Sequence, residues 1–189
     1  MTKAECRTQT KRRLAAMTPE QIFGKSHAAC HQMLLTPEFQ NANAVMLYLS
    51  MPGEPELQSL AAAGLDAGKI ILLPKVDWSR IHLQAVRVNN FDVRHDANTP
   101  LIPQPAKGEI FPLGQIDLIV VPGLAFNESG HRLGRGKGFY DRFLAQPSLR
   151  ALRAAIAFEE QLFADIPTEP HDVGMQMIVT DQRIIRIAT

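Results

Sequence analysis

The chain has 189 residues, enough for one domain with a substantial core, and its 46% hydrophobic and 21% charged residues are ordinary for a globular protein. Twenty basic against 19 acidic residues leave a formal charge of +1, which argues against a broadly basic nucleic-acid or membrane-surface binder; attraction for an anion must be local. Two cysteines, Cys6 and Cys30, indicate neither a disulfide framework nor a metal template. The basic start, Met1 to Arg13, lacks the apolar stretch of a secretory signal, and the mostly apolar run from Ile116 to Phe126 is too short to span a bilayer. A cytoplasmic protein is expected.

In chain order, residues 2–16 hold few apolar positions, so a helix there should be largely exposed. Thr18-Pro19-Glu20-Gln21 is a capping box with proline at the first helical position. The helix it opens should gather Ile22, Phe23, Cys30, Met33 and Leu34 on one side and end near Thr36-Pro37. The continuous apolar run Ala44 to Leu49 reads as a buried strand, stopped at the Pro52-Gly53 turn. A second helix should run from Glu54-Pro55 through Leu57, Leu60 and Leu65 to Gly68, and Lys69 to Leu73 as a strand halted by Pro74. That order is a βαβ unit, whose strands are normally parallel.

Ile81 to Val88 reads as a half-exposed strand, Asn98 to Pro112 as a proline-rich loop, and Asp117 to Val121 as a strong central strand closed by Pro122-Gly123. A helix from Phe139 to Ala145 follows, then strands at Ala154–Phe158, Met177–Thr180 and Arg183–Ile187, the last two as a hairpin. The fold class is α/β: an open, mostly parallel sheet flanked by helices, in a single domain.

The chemistry concentrates between Gly130 and Arg142, after the strongest strand. Alternating glycines at 134, 136 and 138 leave main-chain N–H groups bare, and Arg132, Arg135 and Lys137 add positive charge. The helix after Gly138 should point its free N–H groups the same way. Phosphate oxygens satisfy all three features. The P-loop pattern is not met, because five residues separate Gly130 from Gly136 and Gly138 follows Lys137; Phe139 stands where a dinucleotide motif needs its third glycine. In open α/β sheets ligands gather at the carboxyl ends of strands, so the loops after Leu49 and Val121 should line one cleft if their strands are parallel neighbours. Asp141 beside these cations could hold a magnesium ion or merely pair with an arginine. His27 and His31, four apart on a helix, lack an evident third ligand. One Trp and two Tyr are too few for an RNA module reliant on stacking.

From Val121 to Arg142, with its core Arg132-Leu-Gly-Arg-Gly-Lys-Gly-Phe-Tyr-Asp141, the sequence closely resembles the 5-formyltetrahydrofolate cyclo-ligase family. The likeness extends to Lys3 and Arg7, Leu49 to Glu54, Pro74-Lys75, Ile102 to Pro105, Ala157 to Gln161 and His171-Asp172, so residues 1–189 read as one cyclo-ligase-like domain. The resemblance implies ATP-dependent conversion of 5-formyltetrahydrofolate to 5,10-methenyltetrahydrofolate, with ATP as co-substrate and Mg²⁺. By position, Lys3, Arg7, Arg132, Leu133, Gly134, Arg135, Gly136, Lys137, Gly138, Phe139 and Tyr140 would hold ATP. Leu49, Glu54, Arg135, Gly136, Lys137, Gly138 and Phe139 would meet the folate, Arg135 and Lys137 would carry the catalytic charge, and Asp141 and Asp172 would hold the metal. No nucleic-acid or membrane partner is implied, and a monomer is expected. Four positions depart from the family pattern: Asn127 for Asp, Phe139 for Tyr, Pro100 about where some members place Trp, and Gln176 in a region where a carboxylate is common. They put folate affinity, more than phosphate binding, in question.

Overall fold

The computed structural model describes residues 1–189 except 90–92, 97–98, 106–107 and 189, and only the backbone of 93–96 and 99–103. Three helices open the chain: α1 (Lys3–Ala15), α2 (Pro19–Leu34) and α3 (Pro37–Asn41). The Thr18–Gln21 capping box forms as expected, and Thr2 with Glu5 makes a second one at the start of α1. Then come β1 (Ala44–Met46), α4 (Gln58–Asp66), β2 (Ile70–Asp77), β3 (His82–Val88), β4 (Val93–Asp96), β5 (Thr99–Pro105) and β6 (Glu109–Ile110). The remainder is β7 (Leu118–Val120), β8 (Ala125–Phe126), β9 (Arg132–Leu133), α5 (Phe139–Leu144), β10 (Leu152–Ile156), β11 (Met177–Val179) and β12 (Ile184–Arg186).

Eight strands form one sheet in the order β12-β11-β10-β7-β1-β2-β3-β6. The five from β11 to β2 are mutually parallel; β12, β3 and β6 add antiparallel edges. This is the mostly parallel sheet that the apolar runs imply. Those runs are continuous because both faces are covered. Val45, Ile71, Leu118, Ala154 and Met177 pack on the side of α2 and α4, whereas Met46, Leu72, Ile119, Ala155 and Ile178 pack with Phe126, Phe143 and Leu144 on the other. The chain proceeds from β1 to β2 on one side and later to β7, β10 and β11 on the other, so the winding reverses between β1 and β7. That reversal opens a crevice at their carboxyl ends.

Several local expectations are corrected. Phe23 is 66% exposed and off the core stripe of α2, which is carried by Ser26, Ala29, Cys30 and Met33. The proline-rich segment expected to be a loop contains β5, paired antiparallel with β4; of Asn98 and Ala106–Lys107 nothing is described, and the side chain of Pro100 lies outside the described residues. Pro74 does not stop β2, which continues to Asp77 opposite β3. Leu72 accepts from the Leu47 amide on the β1 side, and Pro74, two residues on, shares that side beyond the last β1 pair, Met46 with Leu72. Its missing N–H therefore breaks no ladder bond.

Helix α1 fully buries only Cys6, Thr10 and Leu14, one residue per turn. That stripe docks near β8 and β9, where Cys6 packs with Ala125, Leu133, Phe163 and Ile166. Arg13 stacks 4.3 Å over Phe163 and donates to the carbonyls of Glu160 and Leu162. This docking carries Lys3 and Arg7 to the carboxyl edge of the sheet.

Candidate active site

A cavity of about 890 Å³ opens at the switch point between β1 and β7. Every residue singled out from the sequence for ATP, folate or metal lies on its wall: Lys3, Arg7, Leu49, Glu54, Arg132 to Tyr140, Asp141 and Asp172. The loops after β1 and β7 do share one cleft, because those strands are parallel neighbours. Six cationic side chains and four carboxylates line it, an excess suited to a polyanion.

The loop geometry follows from its glycines. Gly138, at the start of α5, has φ +67°, a left-handed conformation that other residues adopt only under strain. The chain can thus turn from the loop straight into α5 with no side chain over its amides. At six residues α5 is too short for a strong dipole, so the expected helix contribution is minor and the side-chain cations supply most of the attraction.

The cations are held in place in different ways. Arg135 Nε and Nη2 lie 2.9 and 2.7 Å from Glu54 Oε1, and Glu54 Oε2 accepts from the Met51 amide at 3.0 Å. Glu54 is therefore 6% exposed although it sits in a loop. The Pro52-Gly53 turn that presents it is closed by the Glu54 amide donating to the Met51 carbonyl. Arg132, also buried, donates to the Pro122 carbonyl and pairs with Asp141 Oδ1; its Nε has no acceptor among the described residues. Arg7 Nε donates to the Gly134 carbonyl at 3.0 Å. Lys137 is exposed and has no carboxylate partner among the described residues, so its ammonium group is available to a ligand.

Lys3 joins α1 to the segment 169–172, with Nζ 2.7 Å from Asp172 Oδ2 and 3.2 Å from Glu169 Oε2. Burial opposes the charge on both Lys3 and Asp172, but their mutual hydrogen bond, aided by Glu169, outweighs it: the lysine is raised and the aspartate lowered from their ordinary values. Burial, then the Glu54 carboxylate, raises the phenols of Tyr48 and Tyr140, which line the cavity as neutral hydroxyls.

The two carboxylates expected to hold a metal each keep one oxygen without a hydrogen bond among the described residues. Asp141 uses Oδ1 for Arg132 and the Val173 amide; Asp172 uses Oδ2 for Lys3 and the Glu169 amide. Two carboxylate oxygens beside a polyanion site suit a hard divalent cation that completes its shell with phosphate and water. Among the described residues, the group of three potential ligands is Glu169, His171 and Asp172, whose ligand atoms lie within 4.8 Å of one another. Asp141 is not part of it. His27 and His31 are exposed and in no such cluster.

Sequence reasoning missed the wall made by the β2–β3 hairpin. Pro74, Val76, Trp78 and Leu83 line the cavity, and Trp78 meets Phe139 edge to face, with ring centroids 5.1 Å apart. An aromatic residue just before a strand turn was the available signal. Asn127 and Gln176 lie off the cavity wall. Asn127 is buried against His131, and Gln176 accepts from the Arg153 amide. Their departures from the family pattern thus serve the scaffold rather than the ligand.

A parallel sheet with this crevice, cation-lined and walled by aromatic rings, defines an α/β enzyme that handles an anionic, ring-bearing substrate. The model of the 5-formyltetrahydrofolate cyclo-ligase family matches residues 1–181, and the chain belongs to that family. It is 30% identical over 183 residues to the 5-formyltetrahydrofolate cyclo-ligase of Escherichia coli K12, covering 92% of this chain and 97% of the relative. It is 29% identical over 188 residues to that of Mus musculus, covering 92% and 90%. The solved 5,10-methenyltetrahydrofolate synthetase of Aquifex aeolicus superposes with a TM-score of 0.86 at 29% identity, over 100% of this chain and 94% of the other. No described helix is long and apolar enough to cross a membrane.

Proposed function

We propose that this chain cyclises 5-formyltetrahydrofolate to 5,10-methenyltetrahydrofolate at the expense of ATP, releasing ADP and phosphate. The observation that carries the reading is a single cavity that combines the cationic glycine loop, the N-terminal end of α1, segment 169–172 and an aromatic wall. Family membership supports it.

In the proposed reaction the formyl oxygen attacks the γ-phosphorus as the bond to ADP breaks. The folate's N10 then adds to the activated carbon and gives up its proton, and phosphate departs with the former formyl oxygen. Such a transfer needs positioning and charge stabilisation more than covalent help from the protein. Lys3, Arg7, Arg132 and residues Leu133 to Tyr140 hold the triphosphate. Lys137, free of a carboxylate partner, meets the charge that builds on the transferred group. Arg135, tied to Glu54, couples the phosphate loop to the folate side of the cavity. Leu49 and residues Gly136 to Phe139 border the folate, and the Glu54 carboxylate receives pterin N–H groups. A magnesium ion held by Asp141 and Asp172 would neutralise phosphate charge. The protein acts as a monomer on two small molecules. A cytoplasmic location fits its two buried, unlinked cysteines.

Absorbance of the methenyl product, followed with ATP, Mg²⁺ and 5-formyltetrahydrofolate, tests the reading. ATP-dependent growth of that band is expected; its absence at saturating substrates overturns the assignment.

A further inference from the structure

The β2–β3 turn bears an aromatic residue, a backbone outlier and a tether, all directed at the same loop. Trp78, half-buried, meets Phe139 at the start of α5. Ile81, three residues on, has φ +49°, a conformation that β-branched residues adopt only when their surroundings enforce it. Its carbonyl accepts from Arg142 Nε at 3.3 Å, and the same guanidinium donates through Nη2 to the Lys137 carbonyl at 2.6 Å. One arginine thus ties the strained turn to the glycine loop, beside the contact of the indole with Phe139.

The cavity is chemically divided. α1 and the glycine loop contribute most of the cations, whereas the hairpin contributes Pro74, Val76, Trp78 and Leu83 and no charge to the wall. Glu54 stands at the boundary between the two sides: it pairs with Arg135 of the glycine loop, and it lines the same cavity as Tyr140, the neighbour of the Phe139 that touches Trp78. A flat heterocycle with N–H groups for a carboxylate fits here, and a triphosphate does not. The indole Nε1 is buried without an acceptor among the described residues.

We propose that Trp78 is a substrate-contacting residue, its indole lying along the ring system of the folate, with Phe139 and Arg142 as the groups that position it. This rests on the reading of the cavity as a folate and ATP site. Trp78 is the chain's one tryptophan, so its fluorescence reports directly on the contact.

The test uses the whole protein. Adding 5-formyltetrahydrofolate without ATP should quench the emission saturably, after correction for absorption against free tryptophan, while ATP alone should leave it nearly unchanged. Trp78→Ala should raise the KM for folate about ten-fold, the scale of one aromatic contact, with the KM for ATP unaltered. Trp78→Phe should recover most of that loss, and its melting temperature shows whether the wall still folds. A wild-type enzyme that turns over without any folate-dependent quench overturns the Trp78 assignment alone. So does a KM change in ATP rather than folate, or wild-type kinetics in a folded Trp78→Ala protein. A wild-type protein that makes no methenyl product sinks both readings.

Discussion

The two sides of the cavity are built on opposite principles. The cationic side rests on a local run of sequence, Arg132 to Asp141, in which glycines bare the backbone and charged residues alternate with them. The hairpin side is assembled from residues that are individually unremarkable and become a wall only when β3 folds back on β2. Polar, charge-driven contacts can be specified by a short motif, because a phosphate needs donors close together. An apolar wall needs only shape and burial, which any of several residues at several positions could provide.

The largest expected effect tests the cationic side. Lys137→Ala should lower turnover by roughly a hundred-fold or more, the scale for removing one charge-stabilising donor, while the melting temperature stays at the wild-type value because the side chain is exposed. Wild-type turnover would show that the unpaired lysine has no part in phosphoryl transfer. Glu54→Ala lies on the boundary between the two sides and should harm both activity and stability. The residue's position in a loop suggests tolerance, but its burial, its bond to the Met51 amide and its pair with Arg135 predict a loss of about 1–3 kcal/mol in unfolding free energy. Glu54→Gln should retain more stability than alanine yet still raise the KM for folate. Denaturant melts and the two KM values separate these contributions.

Gly138→Ala sharpens the comparison at the hinge between loop and helix. Forcing φ +67° on alanine should cost about 1–2 kcal/mol, and the new methyl would lie 3.4 Å from the Arg142 guanidinium that ties the hairpin to the loop. Equal stability in a chemical denaturation series would show that the loop relaxes freely. The smallest effect is far from both walls. Glu38 pairs with Arg186 at 2.7 Å, joining α3 to β12, and that hydrogen bond holds its carboxyl below the ordinary 4.5. A lowered carboxylate stabilises the fold above its unfolded value and loses that contribution as pH falls through the folded one. Glu38→Gln should thus cost about 0.2–1 kcal/mol at neutral pH, and the difference from wild type should shrink as acid titrates the Glu38 carboxyl in the folded protein. A difference that acidification leaves unchanged would point to packing instead of charge.

What the sequence by itself determined were the features written in short range. The apolar runs beginning at Ala44, Lys69, Asp117, Ala154 and Met177 mark strands of the sheet, the Thr18 box starts a helix, and the glycine-basic loop is a short-range pattern of bare amides and cations. Each depends on residues within a few positions of one another. Tertiary structure alone decided that the chain's N-terminal helix brings Lys3 to Asp172, 169 residues away, and that Arg135 finds Glu54 across 81. It also decided that Pro74 could sit within a strand, since the neighbouring strand ends before its missing N–H matters, and that Trp78 would face Phe139. Periodicity and turn chemistry encode which way a residue points along its own element. Which element stands opposite is set by strand order and register, and those arise from the burial of the whole chain at once.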